Sequence, residues 1–422
     1  MTPDSITERF PAIEKLAPTL TTLAKKHGTP LYVFDRGEVE KNFRAFRDAF
    51  ATEKLPLEIF YAMKSNYYGG MLRTVIAEGG GIDASSHREL ELALAAGARK
   101  IIYTGPAKSE ADFELILRHA DSIAVNLESR RELKLLSSMA AKKKLAVRCG
   151  VRVVTGQQKG WSKFGIALKD LPSFLREARK LPGLDFQGIH FHISLNRTPE
   201  RYVGTLEELS STLKELTAEE RAGIRYLDMG GGYIPAAFEG VPGWNPNQEM
   251  KFVGEDLDPM EVVGKDWNPR YTVPPVSPIG DFAQEISAAL RAHIFPLLPH
   301  VQMYAEPGRF LCHSSMHMLF TLMDLKDTRM GVTDGGTNMI GWEKYQCYHY
   351  VPLFDLTHFS LTREVPFVLY GSLCTPDDVW GYYLHASEIQ EGDLILLPYQ
   401  GAYTYTLSQQ FIKDIPPVVD LA

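Results

Sequence analysis

The sequence predicts an α/β chain in which a (β/α)8 barrel of the TIM type is joined to a second, mainly β domain. Three observations predict it. Short runs of β-branched and aromatic residues alternate with amphipathic stretches from about residue 57 to residue 306. Eight such strand runs can be counted, and strands alternating with helices imply parallel pairing through right-handed crossovers, as in a closed eight-unit barrel. After residue 306 the helical period fades into strand-like segments separated by turn residues. A doubly wound open sheet is the alternative that the same alternation allows.

The expected barrel strands are 57–63, 81–85, 100–105, 121–126, 145–151, 187–193, 225–230 and 301–306. Helices are expected at 69–78, 87–97, 109–119, 128–141, 168–181, 198–216 and 280–297, with one more at 37–51 ahead of the first strand. Residues 233–277 interrupt the rhythm with Pro, Gly, Asn and Trp; following the seventh strand, they read as a lid or dimer-contact insertion or as a passive surface loop. In the second domain, 317–325, 364–371, 392–399 and 402–408 read as strands. The expected division is 36–308 for the barrel, with 1–35 and 309–422 forming a β-sandwich or barrel-like domain.

With 422 residues, 45% hydrophobic and 23% charged, the chain can bury cores for two domains. A net charge of −7 gives no basic surface for nucleic acid, and the short run Lys142–Lys144 reads as a solvated helix end. No apolar run is long enough to span a bilayer, and the N-terminus lacks the basic-then-apolar pattern of a signal peptide, so a cytoplasmic location is expected. Cys149, Cys312, Cys347 and Cys374 are too widely spaced to form a metal cluster, and no metal is expected.

In a parallel barrel, chemistry gathers at the C-terminal ends of the strands. Those ends carry Lys64, then Asp83 with Ser85 and Ser86, His190 and His192, Gly230, Gly231 and Gly232, and finally Glu306, Pro307, Gly308 and Arg309; the fifth strand carries Arg148. A lysine there suits a Schiff-base former, activated by a partly desolvated site. The glycine run and Arg309 lie where barrels bind phosphate, after strands seven and eight. His192 could stack on a flat ring, and Glu306 could hold a ring nitrogen protonated. Taken singly, each has an ordinary structural explanation; the conjunction is what carries information.

These segments resemble the fold-type III pyridoxal-phosphate decarboxylases, the group containing the diaminopimelate, ornithine and arginine decarboxylases, from PLYVFD at 30–35 to the C-terminus. The resemblance implies an alanine-racemase-like barrel with a β-domain and pyridoxal 5'-phosphate as cofactor. YAMKSN is similar to the cofactor-lysine motif, which makes Lys64 the lysine that holds pyridoxal phosphate. GIDASSHREL supplies Asp83 and Glu89 as supporting groups, and Arg148 with KFG at 163–165 matches in mutual spacing. FHIS makes His192 the ring-stacking residue. GGG and EPGR are similar to the phosphate loop and the carboxylate on the pyridine nitrogen. LCTPDD resembles the cysteine motif, so Cys374 is implied to return a proton to the substrate carbon, with Thr375, Asp377 and Asp378 near the substrate. QGAYTY implies a cofactor contact from Tyr403. In this family the cysteine segment enters the neighbouring subunit's site, which implies a head-to-tail homodimer acting on a small amino acid.

Departures from the family pattern are specific. Ser194 and Leu195 stand where Gly-Ser is usual, which moves the serine contact to phosphate to Ser194. Thr375 follows the cysteine where an acidic residue is common. The segment TNMIGWEKY after DGG lacks the arginine that diaminopimelate decarboxylases place there, and within it Glu343 could face a distal ammonium. A decarboxylase for a diamino acid or a modified amino acid is the expected function. A pyridoxal-phosphate racemase, a non-catalytic relative and an aldolase-type barrel are the alternatives, distinguishable by racemisation without CO2, by colour without turnover, and by a colourless protein.

Overall fold

The computed structural model describes residues 10, 12–158, 163–235, 241–242, 271–272, 275–341 and 352–421. The chain divides into two units, Val39–Pro235 with Val276–Leu311, and Met1–Glu38 with Ala236–Pro275 and Cys312–Ala422. Most of the 233–277 insertion lies outside the described residues, apart from an antiparallel pairing of Val241–Pro242 with Tyr271–Thr272. Among the described residues no helix is long and apolar enough to cross a membrane.

The first unit is a closed barrel of eight parallel strands, as expected. Leu57–Ala62, Gly81–Ala84, Ile101–Thr104, Ile123–Leu127, Val147–Val154, Leu184–His190, Tyr226–Asp228 and Gln302–Ala305 pair in that order. The last strand then pairs with the first and closes the ring. Helices run between them: Gly69–Ala77, His87–Ala95, Glu110–Arg118, Arg130–Lys143, Leu171–Ala178, Glu200–Lys214 and Ile279–Ala289, the last continuing as a π turn over Leu290–Ile294. Serines start three of them. Ser86, Ser109 and Ser129 each accept the backbone N–H three residues on, satisfying donors that the first helical turn leaves open. Lys142–Lys144 is exposed and forms the expected helix end, with Lys144 in the left-handed conformation.

The interior of the barrel is filled by side chains. Tyr226 stacks on Tyr304 with ring centroids 4.9 Å apart, and its hydroxyl donates to Asn126 Oδ1 at 2.8 Å. Such a large side chain fits because glycines face it. A Cβ at Gly188 would lie 1.9 Å from the Tyr226 ring, and one at Gly150 would lie 2.3 Å from its hydroxyl.

The second unit is built on an eight-stranded sheet that gathers both ends of the chain. Leu31–Phe34 pairs antiparallel with Met316–Asp327 and parallel with Val418–Asp420. Beyond Met316–Asp327 come Leu394–Leu397, Phe354–Asp355, Val379–His385, Glu364–Tyr370 and Met330–Thr333. The helix Ile13–His27 packs Ile13, Leu20 and Ala24 into the core under Leu31, Leu319 and Leu396. Three of the four expected strands of this domain are present. The fourth is a correction: 402–408 forms a turn and the single 3-10 turn Tyr405–Leu407, with Tyr403 at φ +57°. Gly401 is pressed against the Cys312 carbonyl, where a Cβ would lie 1.6 Å away, so the chain bends where aromatic alternation suggested a strand.

Gly188→Ala should therefore destabilise the protein by about 1–3 kcal/mol through overpacking. Gly280→Ala, where a Cβ meets nothing within 4 Å and φ is helical, should be neutral or mildly stabilising. Urea denaturation of the two variants checks the contrast, and equal stabilities would contradict the packing described.

Candidate active site

Lys64 follows the first barrel strand in a 3-10 turn, Met63–Ser65, and its side chain is 34% exposed. Its Nζ lies 3.2 Å from Asp83 Oδ2. Asp83, near the end of the second strand, is fully buried, and its Oδ1 accepts no hydrogen bond. Burial, then the charge of Glu306, push the Asp83 carboxyl well above its usual range, against the pull of Lys64. Glu89 sits on the helix that Ser86 caps and accepts the Ser85 N–H at 2.6 Å, fixing the loop after the second strand.

Another lysine near a barrel strand end gives the contrast. Lys108 is buried, donates to Glu132 Oε2 at 3.1 Å and to the Gly105 carbonyl at 2.6 Å, and so forms a structural ion pair. Lys64 is the one that a small molecule can reach.

Glu306 follows the eighth strand and is buried. Its Oε2 lies 3.4 Å from His190 Nε2 and 3.7 Å from His192 Nδ1, and accepts no hydrogen bond of good geometry. Its Oε1 faces Thr104 Oγ1 at a long 3.4 Å; Thr104 accepts from Asn126 at 3.1 Å, and Asn126 from Tyr226. A polar chain thus runs from the barrel interior to this carboxylate. Burial opposes its charge, but His190 beside it and the Lys64 ammonium outweigh burial and hold the carboxyl well below its usual range. Asp228, fully buried at the end of the seventh strand, is pushed far upward by burial and by Glu306. Among these carboxylates, Glu306 is the one that keeps the negative charge.

His192 Nδ1 accepts the Gly231 N–H at 3.1 Å, which places the ring proton on Nε2, 3.4 Å from Ser194 Oγ. Burial lowers the His192 pKa to about 3, so the ring is a neutral, flat surface. Ser194 is half-buried, and Leu195 takes φ +54° with its side chain exposed. Arg201 braces this loop through the Ser194 and Gln157 carbonyls.

The glycine run is required by packing. A Cβ at Gly231 would lie 2.3 Å from the Glu306 carbonyl, and one at Gly232, at φ +104°, 1.8 Å from the Ile193 carbonyl. The Gly230 N–H is committed to Asp228 and that of Gly231 to His192. Gly232 is therefore the amide of the run that no described hydrogen bond uses. Gly308 packs on the lysine turn, where a Cβ would lie 2.9 Å from Ser65 Oγ, and buried Arg309 starts the short helix Arg309–Cys312.

Arg148 requires correction. The fifth strand runs over Val147–Val154, so Arg148 stands at its N-terminal end, exposed, with its guanidinium on the Asp121 carbonyl. Arg152 occupies the place expected of it. Arg152 is buried, donates to Glu128 Oε1 at 3.2 Å and lies 4.3 Å over the ring of Phe164. Glu128 also accepts the Gly165 N–H at 2.9 Å, which holds the KFG segment. Sequence reasoning also passed over Asp228, Thr104, Asn126 and Arg152, and gave His190 no role; the available signal was a polar residue in the last positions of an otherwise apolar strand.

The remaining candidates belong to the second unit. Cys374 is an exposed free thiol, Thr375 is half-buried, Asp377 is exposed and Tyr403 is half-buried. Asp378 is a second correction: it is buried and both its oxygens accept backbone N–H groups, from Thr337 at 2.7 Å and Leu373 at 2.6 Å. Its carboxylate is committed to bracing the loop that carries Cys374. Glu343 lies outside the described residues.

The donor set fits one kind of ligand. Glu306 Oε2 and Asp83 Oδ1 are buried acceptors without a donor, beside a reachable lysine and a neutral imidazole face. A flat aromatic aldehyde with a protonated ring nitrogen would meet all of these groups, and a barrel carrying them is the class of Schiff-base enzymes.

The comparisons agree. Residues 36–313 match the family described as pyridoxal-dependent decarboxylase, pyridoxal binding domain, and the chain belongs to that family. It is a pyridoxal-phosphate-dependent carboxy-lyase of the amino-acid decarboxylase group. The chain is 27% identical to a diaminopimelate decarboxylase of Methanothermobacter thermautotrophicus, covering 92% of this chain and 85% of that one. It is 26% identical to a diaminopimelate decarboxylase of Aquifex aeolicus, covering 93% and 86%. The crystal structure of a lysine/ornithine decarboxylase from Vibrio vulnificus with putrescine superposes with a TM-score of 0.74 at 22% identity, covering 96% and 97%.

Two outcomes follow from this geometry. Arg152→Ala should cost about 3–5 kcal/mol, because it leaves Glu128 buried without its cation, whereas Arg148→Ala should stay within about 0.5 kcal/mol of wild type. Thermal or urea unfolding measures both. A histidine depressed to about 3 in the folded state contributes stability that is present above its unfolded pKa and is lost as pH falls through about 6.5 toward 3. Between pH 7.5 and 5, the apo wild type should lose about 2 kcal/mol more than His192→Gln; parallel pH profiles would contradict a neutral buried His192.

Proposed function

We propose that the enzyme removes the α-carboxylate of an amino acid to give an amine, with Lys64 as the cofactor lysine and Cys374 as the group that returns a proton to Cα. The observation that carries the proposal is the reachable Lys64 Nζ, 3.2 Å from a buried Asp83, in the same barrel end as an ionised, buried Glu306. Pyridoxal phosphate, when bound, supplies an aldehyde for the substrate amine and a ring that accepts electrons from the breaking Cα–carboxylate bond.

The chain's own residues do the rest. Lys64 Nζ would hold the cofactor, with Asp83 fixing its position. Glu306 would hold the proton on the ring nitrogen, backed by His190 and by the Thr104–Asn126–Tyr226 chain. His192, neutral and fixed by Gly231, offers its face to the ring. Gly232, Gly308, Arg309 and Ser194 would bind the phosphate, and Tyr403 would contact the phosphate or the ring. Thr375 and Asp377 would line the substrate site beside Cys374.

The substrate would be a diamino acid or a modified amino acid other than diaminopimelate, since the segment after DGG contains no arginine and Thr375 follows the cysteine; Glu343 would meet a distal ammonium. A head-to-tail homodimer sharing active sites, a cytoplasmic location, and the division into a barrel at 36–308 and a β-domain from 1–35 and 309–422 belong to the same proposal.

Lys64→Ala should abolish both the yellow colour of the bound cofactor and CO2 release. Cys374→Ala should keep the colour and slow product formation by about 10²-fold or more. Incubating the holoenzyme with D- and L-amino acids, diaminopimelate included, and following evolved CO2 identifies the substrate. A Lys64→Ala enzyme that retained colour and turnover would overturn the assignment.

A further inference from the structure

Away from the barrel, the β-domain brings two carboxylates and an imidazole to one point. Asp355 ends the strand Phe354–Asp355, which pairs antiparallel with Leu394–Leu397, and Asp393 directly precedes that partner strand. Both aspartates are buried, at 0% and 2% exposure, while the His358 side chain is 25% exposed. One oxygen of each carboxylate is tied down by backbone. Asp355 Oδ1 accepts the N–H of Thr357 at 2.7 Å and of His358 at 3.0 Å, and Asp393 Oδ2 accepts that of Gln390 at 2.6 Å.

The remaining atoms face each other. Asp393 Oδ1 lies 3.0 Å from His358 Nδ1, Asp355 Oδ2 lies 3.8 Å from the same nitrogen, and one ligand atom from each of the three residues falls within 4.8 Å of the others. Asp355 Oδ2 is buried and accepts no hydrogen bond. An unpartnered buried carboxylate oxygen is costly. His358 Nδ1 faces both carboxylates but carries at most one proton for the two. A cation bound at about 2.0–2.2 Å would draw all three atoms together and serve both carboxylates.

We propose that Asp355, His358 and Asp393 form a binding site for a divalent ion of the first transition row, with water completing its coordination on the exposed side of His358. Two carboxylate oxygens and one imidazole nitrogen suit Mn2+, Fe2+ or Zn2+ better than Mg2+ or Ca2+, which favour all-oxygen sets. Such an ion would clamp the turn after Phe354–Asp355 to the turn before Leu394–Leu397. The site is independent of the cofactor and of the decarboxylase assignment.

The test titrates the pyridoxal-phosphate-loaded enzyme with Mn2+ and follows the loss of the free-ion paramagnetic resonance signal. Mn2+ is used because the exposed Cys374 thiol competes for softer ions. The expected result is one Mn2+ bound per chain, weakened at least tenfold in His358→Ala and in the near-isosteric Asp355→Asn, with His358→Ala keeping full metal-free turnover as evidence of an intact fold. Mn2+ should also raise the melting temperature of wild type and not that of His358→Ala. No Mn2+ bound by wild type, or equal binding by wild type and both variants, would overturn the proposal and leave the three residues as a hydrogen-bonded turn.

Discussion

A carboxylate kept ionised where water does not reach is the constraint around which the barrel's functional end is organised. Glu306 is buried, and an unpaired charge there is costly, so its neighbourhood must supply donors. His190 lies 3.4 Å from one oxygen, which still lacks a hydrogen bond, and the Thr104–Asn126–Tyr226 chain reaches the other. These partners come from the third, fourth, sixth and seventh strands, so closing the barrel is what assembles the environment. Asp83 and Asp228, in the same region, are forced toward their protonated forms first by burial and then by this charge. The result is an acceptor aimed at whatever protonated group enters, with Lys64 reachable near it.

Packing and chemistry meet in the glycines. Gly230, Gly231 and Gly232 let the seventh-strand loop lie against the His192 and Glu306 segments, and Gly308 lets the last loop lie on the Lys64 turn. The loops that carry the acceptor, the imidazole and the lysine are thereby held against one another. Deeper in the barrel, Gly150 and Gly188 make room for Tyr226, whose hydroxyl begins the chain of hydrogen bonds that ends at Glu306. Fold stability and the placement of the acceptor thus draw on the same residues.

Much of this was legible beforehand, for identifiable reasons. All eight barrel strands stand out because they are short apolar runs, and Ser86, Ser109 and Ser129 stand just before three of the helices. Lys64, Asp83, His192 and Glu306 follow the rule that barrel strands end in chemistry. Arg148 misled because the fifth strand starts later and runs further than its apolar core suggests, over Val147–Val154, which puts Arg152 at the functional end. Thr104, Asn126 and Asp228 were passed over because one polar residue in an apolar strand resembles background. Asp378 is acidic near an exposed cysteine, and only the backbone donors that it receives reveal a bracing role. The turn at 402–408 hid behind aromatic alternation, since the close approach of Gly401 to the Cys312 carbonyl is a tertiary fact.

The central claim is that Lys64, not the buried Lys108, bonds covalently to pyridoxal phosphate. Borohydride reduction of the holoenzyme, followed by digestion and peptide mass spectrometry, tests it directly. The account predicts a reduced pyridoxyl group on the peptide containing Tyr61–Asn66, at Lys64 alone. A pyridoxyl group on Lys108 or another lysine, with Lys64 unmodified, would contradict it.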